Sequence, residues 1–350
     1  MTGTRTASSR GLLRIGRVVA IPAGRASVVA AAAVLVLIAA AAVATLSLGR
    51  LGVPLADLAG ALTQGAEGKT AFVLERLRGP RLVVGAGTGA ALGLSGALFQ
   101  TVTRNPLGSP DVIGLAAGAG AGAAMAALFL PGVLPVPLGA LAGGVLAMAL
   151  VYVSTGTGFR NPGRLIVAGI GVSAIAVAFT QYVVYAVERD KATVLTAYLN
   201  GSLSARSWDH ATTIWLVLLV VAPFVALIAG RLDVSEMGDE LAAALGAEPR
   251  RTRTLAVVLS VVLSAGAVAV AGPISFIALT APQIARRMTR GPGPHLVLSA
   301  LVGALLLVLA DLAAQQLPVP GNLPVGVYTM AIGGLYLGYL LTREWRKGSL

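Results

Sequence analysis

The sequence lacks cysteine altogether and has only two histidines among its 350 residues. Without cysteine, disulfide bonds, thiolate metal sites and thiol catalysis are excluded. His210 and His295 lie far apart in the sequence, beside the ends of different apolar segments, so we expect no metal site and no cofactor. Charge is scarce as well: charged residues make up 11% of the chain, whereas a soluble domain has about 25%. This composition is that of a membrane protein.

The little charge that is present is strongly basic, with a formal net charge of +12. A nucleic-acid-binding protein can show this balance. Here, however, most lysines and arginines lie in polar segments at the ends of apolar runs, as the positive-inside rule of membrane insertion predicts. The chain is 56% hydrophobic and its mean hydropathy is +0.85. Membrane topology therefore explains the basic charge better than nucleic-acid binding does.

Ten apolar segments each predict a membrane-spanning helix, which gives an all-α polytopic membrane protein with ten transmembrane helices. The first segment follows five arginines, but its 23 residues exceed the about 7–15 residues of a signal-peptide core. The eighth is short for a span, yet without it the basic C-terminal residues would lie on the less basic side. The predicted spans are 26–48, 82–102, 111–130, 136–154, 165–187, 211–229, 254–271, 274–288, 295–315 and 325–341.

An even number of spans places both chain termini on the same side of the membrane. The polar segments on that side carry 18 lysines and arginines, against 8 on the other side, so the termini are predicted to be cytosolic. We expect a cytosolic N-terminal tail at 1–25, disordered or interfacial, and a single transmembrane domain at 26–342 that includes a cytosolic loop at 231–253. A cytosolic C-terminal tail follows at 343–350, and the polar segment 49–81 is expected to be an outer loop.

The predicted spans hold almost no ionisable groups away from their ends, and Asp311 is the main exception. An ion-coupled secondary transporter usually carries intramembrane relays of Asp, Glu or His, and a hydrolase needs a nucleophile with a base or a metal. Residues 65–70 look like the end of a phosphate-binding loop, but Thr63 stands where that motif needs a glycine. These features predict a chain that is not an enzyme and whose driving energy arrives from elsewhere. An ion-coupled secondary transporter is the alternative.

Several short motifs, in this order and spacing, resemble those of the FecCD-type permeases of ABC importers, which carry iron–siderophore complexes, haem or vitamin B12. Together the matches cover nearly all of residues 50–340. The motifs are Arg78-Gly-Pro-Arg81, Ser95-Gly-Ala-Leu98, Gln100, Asn105-Pro-Leu-Gly-Ser-Pro110, Gly272-Pro-Ile-Ser-Phe276, Ala281-Pro-Gln283, Arg286 and Leu323-Pro-Val-Gly326.

This resemblance implies the fold of a type II ABC importer permease in the bacterial plasma (inner) membrane. It also implies three kinds of protein partner: a second permease subunit, identical or a close paralogue; cytosolic ATP-binding subunits that hydrolyse ATP; and a periplasmic or lipoprotein substrate-binding protein. The expected cargo is an iron–siderophore complex, with haem or cobalamin as the alternative.

The loop between the sixth and seventh spans contains a predicted short helix, where the family docks into its ATPase. Its first turn carries two acidic residues, which the helix dipole favours, and a glycine ends it. Four apolar residues fall on one face, and the alternative is a solvated helix that binds nothing. The predicted coupling helix consists of Met237, Gly238, Asp239, Glu240, Leu241, Ala242, Ala243, Ala244, Leu245 and Gly246, with Met237, Leu241, Ala244 and Leu245 on that face.

Two further sites follow from the resemblance, one on each side of the membrane. Asn105, Pro106 and Leu107 lie at the family's cytosolic constriction, and a plain turn is the alternative. Arg78 and Arg81 match the outer arginines that receive acidic residues of the binding protein, and headgroup anchoring is the alternative. An arginine fork suits a carboxylate because it can bind both oxygens.

The translocation path is predicted along the fifth span, which faces the dimer axis in the family. This span carries Ser173, Thr180 and Gln181 among apolar neighbours. Weak, neutral contacts suit a cargo that must leave again. The alternative is hydrogen bonding between the helices of two subunits.

Overall fold

The computed structural model describes residues 11–15, 19–49, 51–111, 113–156, 162–186, 195–196, 198–291, 293–317 and 323–346. Two short strands, β1 (Gly11–Ile15) and β2 (Val19–Ala23), pair antiparallel with Leu13 opposite Ile21. The helices are α1 (Arg25–Ser47), α2 (Leu55–Gln64), α3 (Gly68–Phe72), α4 (Arg78–Thr103), α5 (Leu115–Phe129), α6 (Val136–Ser154), α7 (Pro162–Ala186), α8 (Trp208–Ser235), α9 (Asp239–Ala244), α10 (Pro249–Ala271), α11 (Ile277–Thr289), α12 (Leu296–Gln316) and α13 (Val325–Arg346).

The predicted all-helical membrane fold is confirmed, since each of the ten predicted spans coincides with a helix of the described chain. Within the described residues, seven helical stretches are long and apolar enough to cross a membrane, while α5 and residues 325–340 form shorter apolar helices. The helix at the eighth predicted span, α11, has only 13 residues. The seven long stretches are α1, residues 68–103, α6, residues 163–186, α8, α10 and α12.

The structure differs from the predictions in three places. The segment 49–81, predicted to be an outer loop, is largely helical. It contains α2 and α3, and a π-helical turn, Val73–Leu77, joins α3 to α4. The third span begins at Leu115 and not at Asp111, since Pro110 and the left-handed Gly114 interrupt the backbone before it. The N-terminal tail contains the β1–β2 hairpin where the sequence suggested disorder or an interfacial segment.

Helix α4 lies at the centre of the molecule and packs against α8, α10, α11 and α12. Glycine allows the closest of these approaches: a Cβ at Gly89 would overlap the carbonyl of Gly303 in α12, and a Cβ at Gly303 would overlap that of Gly89. Ser95 and Ser260 then join α4 to α10, because each hydroxyl donates to the other residue's carbonyl, at 2.7 and 2.8 Å. Both serines are fully buried. These contacts fix the middle of α4 against α10 and α12.

Helices α5, α6 and α7 form a second group beside this centre, and α5 lies between the other two. Gly118 and Gly122 of α5 face Gly139 and Gly143 of α6, so these backbones also touch. Helix α7 buries only a narrow stripe against α5 and leaves most of its surface exposed.

Candidate functional site

Most of the predicted site residues fall into two groups at the two ends of α4, and the predicted path residues lie apart from both groups on α7. We call the first group the Arg78 end: it comprises Arg78, Arg81, Asp311 and Gln315. We call the second the Arg104 end: it comprises residues 104–107, residues 235–246, Gln283 and Arg286. The chain brings each group together from helices that are far apart in the sequence.

At the Arg78 end, Arg78 closes the C-terminus of α1. Its Nη1 lies 2.7, 3.2 and 2.6 Å from the carbonyl oxygens of Thr45, Leu46 and Leu48, and the residue is only 9% exposed. The last carbonyls of a helix have no partner within the helix, and a cation there also favours the helix dipole. Arg78 therefore has a structural task that its sequence motif did not reveal.

Arg81 forms a two-pronged ion pair with Asp311 of α12. Its Nε and Nη2 donate to Asp311 Oδ1 at 2.9 and 2.7 Å, and Nε also lies 3.0 Å from Oδ2. Gln315 donates to Asp311 Oδ2 at 2.7 Å. Asp311 is 2% exposed, whereas 22% of the Arg81 side chain is exposed. The pair joins the first turn of α4 to the last turns of α12, and Arg81 is the member that reaches the surface.

At the Arg104 end, the predicted gate residues form a turn. Arg104 ends α4 with a left-handed backbone, φ 49°, and the N–H of Leu107 then donates to Asn105 Oδ1 at 2.9 Å. An asparagine that accepts this bond stabilises a tight turn by itself. Leu107 lies at the tip with 50% of its surface exposed. We call Asn105–Pro106–Leu107 the gate turn.

Gln283 of α11 holds the gate turn in place. Its Nε2 donates to the Pro106 carbonyl at 2.8 Å and to Gln100 Oε1 at 3.1 Å, while Gln100 Nε2 donates to the Leu279 carbonyl at 3.0 Å. The sequence placed both glutamines in family motifs but gave them no task. The topology could have suggested that the two glutamines lie near the gate turn, because α4 and α11 both end on the predicted cytosolic side.

The predicted coupling helix is shorter in the structure. Helix α9 has six residues, because Gly238 (φ 114°) and Gly246 (φ 77°) take left-handed conformations on either side of it. The four apolar residues predicted to share one face are exposed: Met237, Leu241 and Leu245 are 65%, 57% and 66% exposed, and Ala244 is exposed too. Ala242 lies on the opposite face and is fully buried.

Two contacts join this segment to the rest of the Arg104 end. Arg104 Nη2 donates to the carbonyl of Ser235, the last residue of α8, at 2.8 Å. Arg286 of α11 lies 3.6 Å from the carboxylate of Glu236, and both side chains are 29% exposed. The short helix is thus anchored next to the gate turn.

The predicted path residues on α7 divide between two faces. Ser173 and Thr180 are half-buried beside α5: Ser173 Oγ lies close to Gly114, and the Thr180 hydroxyl donates to the Ala176 carbonyl of its own helix at 2.8 Å. Gln181 lies on the exposed face. The structure therefore does not bring the three polar side chains onto one surface.

No cluster of three or more potential metal ligands occurs in the described residues. Comparison with known proteins shows what the chain is similar to. The model of the FecCD transport family matches residues 6–343. The ferric enterobactin transport system permease protein FepG of Escherichia coli (strain K12) is 42% identical over 288 residues, which cover 82% of this chain and 87% of FepG. The Fe(3+)-citrate import system permease protein YfmE of Bacillus subtilis (strain 168) is 36% identical over 279 residues, which cover 79% of this chain and 84% of YfmE.

A solved structure supports the same assignment. A metal-chelate type ABC transporter in an inward-facing conformation superposes with a TM-score of 0.77 at 25% identity, over 90% of this chain and 99% of that one. Family model, relatives and fold agree, and the chain belongs to the FecCD transport family of multi-pass ABC transporter permeases.

Proposed function

We propose that this chain forms the translocation path of an ATP-driven importer for iron–siderophore complexes in the bacterial plasma (inner) membrane. The observation that carries the proposal is its 42% identity with a ferric enterobactin permease across most of both chains. The chain itself hydrolyses nothing: a second permease subunit, cytosolic ATP-binding subunits and a substrate-binding protein complete the transporter. The scarcity of ionisable groups within the helices supports an energy source outside this subunit.

The test is uptake by proteoliposomes that contain the complete transporter. Ferric enterobactin, ferric citrate and a hydroxamate chelate, each with radiolabelled iron, are offered with their binding protein, and haem and cobalamin are offered in parallel. ATP-dependent uptake of a ferric chelate is expected. Uptake of haem or cobalamin and of no ferric chelate would show that the cargo is not an iron–siderophore complex. Uptake driven by an ion gradient without ATP would overturn the whole proposal.

In this proposal the Arg104 end faces the cytosol, and both tails, 1–25 and 343–350, flank the domain 26–342 on that side. The unequal distribution of lysine and arginine supports this orientation. The exposed face of α9, built from Met237, Leu241, Ala244 and Leu245, then docks into the ATP-binding subunit. Apolar side chains this exposed at the aqueous end of a membrane protein suit a protein partner.

Leu241→Asp tests this docking. A charge in the apolar contact is expected to prevent assembly with the ATP-binding subunit, while the permease still inserts. Leu55→Asp in α2, where the leucine is 63% exposed, is the matched control. Co-purification of the ATP-binding subunit with each variant is measured, and normal recovery with Leu241→Asp contradicts the docking proposal.

The gate turn closes the cytosolic side of the path, with the exposed Leu107 as its plug. Leu107→Gly is expected to increase leak of a small solute from proteoliposomes without ATP. Leu317→Gly, at a residue 52% exposed beyond the end of α12, is the control. A leak equal to that of the unsubstituted protein would leave Asn105–Leu107 as a turn only.

The Arg78 end receives the binding protein. Both arginines hold internal partners, and Arg81 is the one that reaches the surface, so we assign the carboxylate contact mainly to Arg81 and a supporting task to Arg78. Charges of this kind mainly orient docking and raise the association rate. Arg81→Glu is expected to slow association, with partial recovery when the cognate acidic residue of the binding protein is reversed. An association rate unchanged by Arg81→Glu would contradict the contact.

Along the path, Ser173 and Thr180 provide weak polar contacts, and Gln181 belongs to the exposed face of the same helix. Cysteine at 173 or 180 is expected to react with a water-soluble thiol reagent at a rate that depends on nucleotide. Ile175→Cys, at a residue 75% exposed on α7, is the comparison. The absence of labelling at 173 and 180 in every nucleotide state would favour buried contacts between helices.

A further inference from the structure

We propose that Gln283, Arg286 and Arg104 transmit the movement of residues 235–246, which we call the coupling segment, to the gate turn. This inference rests on the proposed function of both parts and adds the connection between them. It assigns these three side chains as positioning residues, which act through the turn and do not contact cargo.

The first connection runs through α11. Gln283 and Arg286 are three residues apart and lie on neighbouring positions of one helix face. Gln283 donates to the Pro106 carbonyl at 2.8 Å, inside the gate turn. Arg286 lies 3.6 Å from Glu236, three residues before α9. One turn of α11 therefore spans the distance between the coupling segment and the gate turn.

The second connection bypasses α11. Arg104 directly precedes the gate turn, and its guanidinium donates to the Ser235 carbonyl at 2.8 Å. Ser235 and Glu236 are adjacent in the chain, so both connections begin at the same point of the coupling segment. They end on either side of Asn105, at Arg104 and at Pro106. A displacement of residues 235–236 would therefore reach the gate turn from two sides.

The middle of the first connection is firm. Gln100 binds the Leu279 carbonyl, and a Cβ at Gly96 would overlap the Ala278 carbonyl, so α11 is pressed against α4. Helices packed this closely have low compressibility, so a displacement of α11 is transmitted along it with little internal deformation. The tip of the gate turn differs, because the Leu107 side chain is half exposed. Movement of α11 is therefore expected to displace the tip and not the core.

The contact at Arg286 has room to change. Its guanidinium lies 3.6 Å from the Glu236 carboxylate, and its buried Nε has no hydrogen-bond partner among the described residues. A close arginine–carboxylate pair has N–O distances of about 2.7–2.9 Å. Closing this gap would pull α11 and the segment before α9 together, which supplies a second arrangement for the connection.

The experiment measures both ends in the complete transporter. A spin label is placed at residue 107 of this cysteine-free chain, and its mobility is recorded with and without ATP while ATP hydrolysis is measured in the same sample. Gln283→Leu removes both donated hydrogen bonds at nearly constant volume. Gln283→His keeps a ring N–H donor, and Gln316→Leu removes a similar bond, to the Leu48 carbonyl at 3.3 Å, at the Arg78 end.

We expect Gln283→Leu to reduce the nucleotide-dependent change at residue 107 at least about fivefold, the factor that corresponds to one net hydrogen bond of the two removed, while ATP hydrolysis persists. Gln283→His and Gln316→Leu should keep the change. A label that responds equally in the unsubstituted chain and in Gln283→Leu overturns the transmission alone. A label that responds in neither overturns the proposed gate, and the transmission with it.

Discussion

The two ends of α4 are held by different kinds of interaction. At the Arg78 end, the charged groups are largely buried and well satisfied: Arg78 lies on three carbonyls and Arg81 on both oxygens of Asp311. At the Arg104 end, neutral side chains hold the gate turn, and the charged pair Arg286–Glu236 is partly exposed and separated by 3.6 Å. Buried and fully bonded charges are costly to separate, whereas partly exposed pairs contribute little.

Two aspartates show the same contrast. Asp311 is 2% exposed and accepts hydrogen bonds from Arg81 and Gln315. Asp111, in the loop between α4 and α5, has a buried Oδ2 with no hydrogen-bond partner among the described residues. The carboxylate at the Arg78 end is thus fully bonded, whereas Arg286 Nε at the Arg104 end and Asp111 Oδ2 in the loop that follows lack hydrogen-bond partners among the described residues. We therefore expect a change of conformation to cost less at the Arg104 end than at the Arg78 end.

The largest expected effect comes from breaking the buried pair at the Arg78 end. Asp311→Leu leaves the Arg81 guanidinium without its carboxylate, and we expect a loss of about 3 kcal/mol of unfolding free energy, because an uncompensated charge remains. The double variant Asp311→Leu with Arg81→Met should recover most of it. Unfolding in detergent by denaturant measures both. A single variant as stable as the unsubstituted chain would contradict the description of this end as rigid.

A smaller loss is expected from Arg78→Met, which keeps the side chain's apolar stem but leaves the last carbonyls of α1 unbonded. We expect about 2 kcal/mol, with the effect concentrated at residues 45–48. Amide exchange across α1 detects the fraying. The control is Arg76→Met, because Arg76 is exposed two residues earlier. Equal exchange in both variants would mean that Arg78 does not cap the helix.

How far the sequence predicts this molecule depends on the kind of interaction. Hydropathy places the spans well, and α6 matches its prediction residue for residue, because an apolar run of this length has few alternatives in a membrane. The helices α2 and α3 were missed because they are short and lie in a segment, 49–81, whose charged residues suggested a loop, although α2 itself is mostly apolar. Local patterns of apolar residues are therefore sufficient for the spans and insufficient for the polar segments between them.

The contacts that the site residues make could not be predicted from the sequence, for a different reason. Arg81 and Asp311 were both placed near the outer side, but their pairing joins residues 230 positions apart and depends on how α4 packs against α12. The same holds for Gln283 and Pro106. Parity of the spans predicts which side a residue is on, and only the packing of the helices decides which residues touch.

A third, smaller effect on stability is expected at the Arg104 end. Glu236→Gln should change the unfolding free energy by less than about 1 kcal/mol, since the pair is long and partly exposed. It should nevertheless lower the cargo transported per ATP hydrolysed. Glu248→Gln is the matched control, because Glu248 also lies 3.6 Å from an arginine, Arg251, but is far more exposed. Equal coupling in both variants would remove Glu236 from any connection between ATPase and gate.

The last prediction concerns Asp111→Asn, whose effect on the unfolding free energy grows with pH. Burial raises the pKa of the Asp111 carboxyl from 3.8 to about 7. Between these values the folded chain holds a proton that the unfolded chain has released, so the unfolding free energy falls as pH rises through this window and levels off above it.

Asp111→Asn removes that slope, because the amide does not titrate. Below about pH 4 the two proteins should be equally stable, since the carboxyl is protonated in both the folded and the unfolded chain and is nearly isosteric with the amide. Above about pH 7 the variant should be the more stable one, because it has no charge to bury. Thermal unfolding in detergent across this range tests both statements, with Asp57→Asn on the exposed surface of α2 as control. Parallel pH profiles for Asp111→Asn and the unsubstituted chain would show that this carboxyl is bonded or hydrated after all, and the contrast with Asp311 would then disappear.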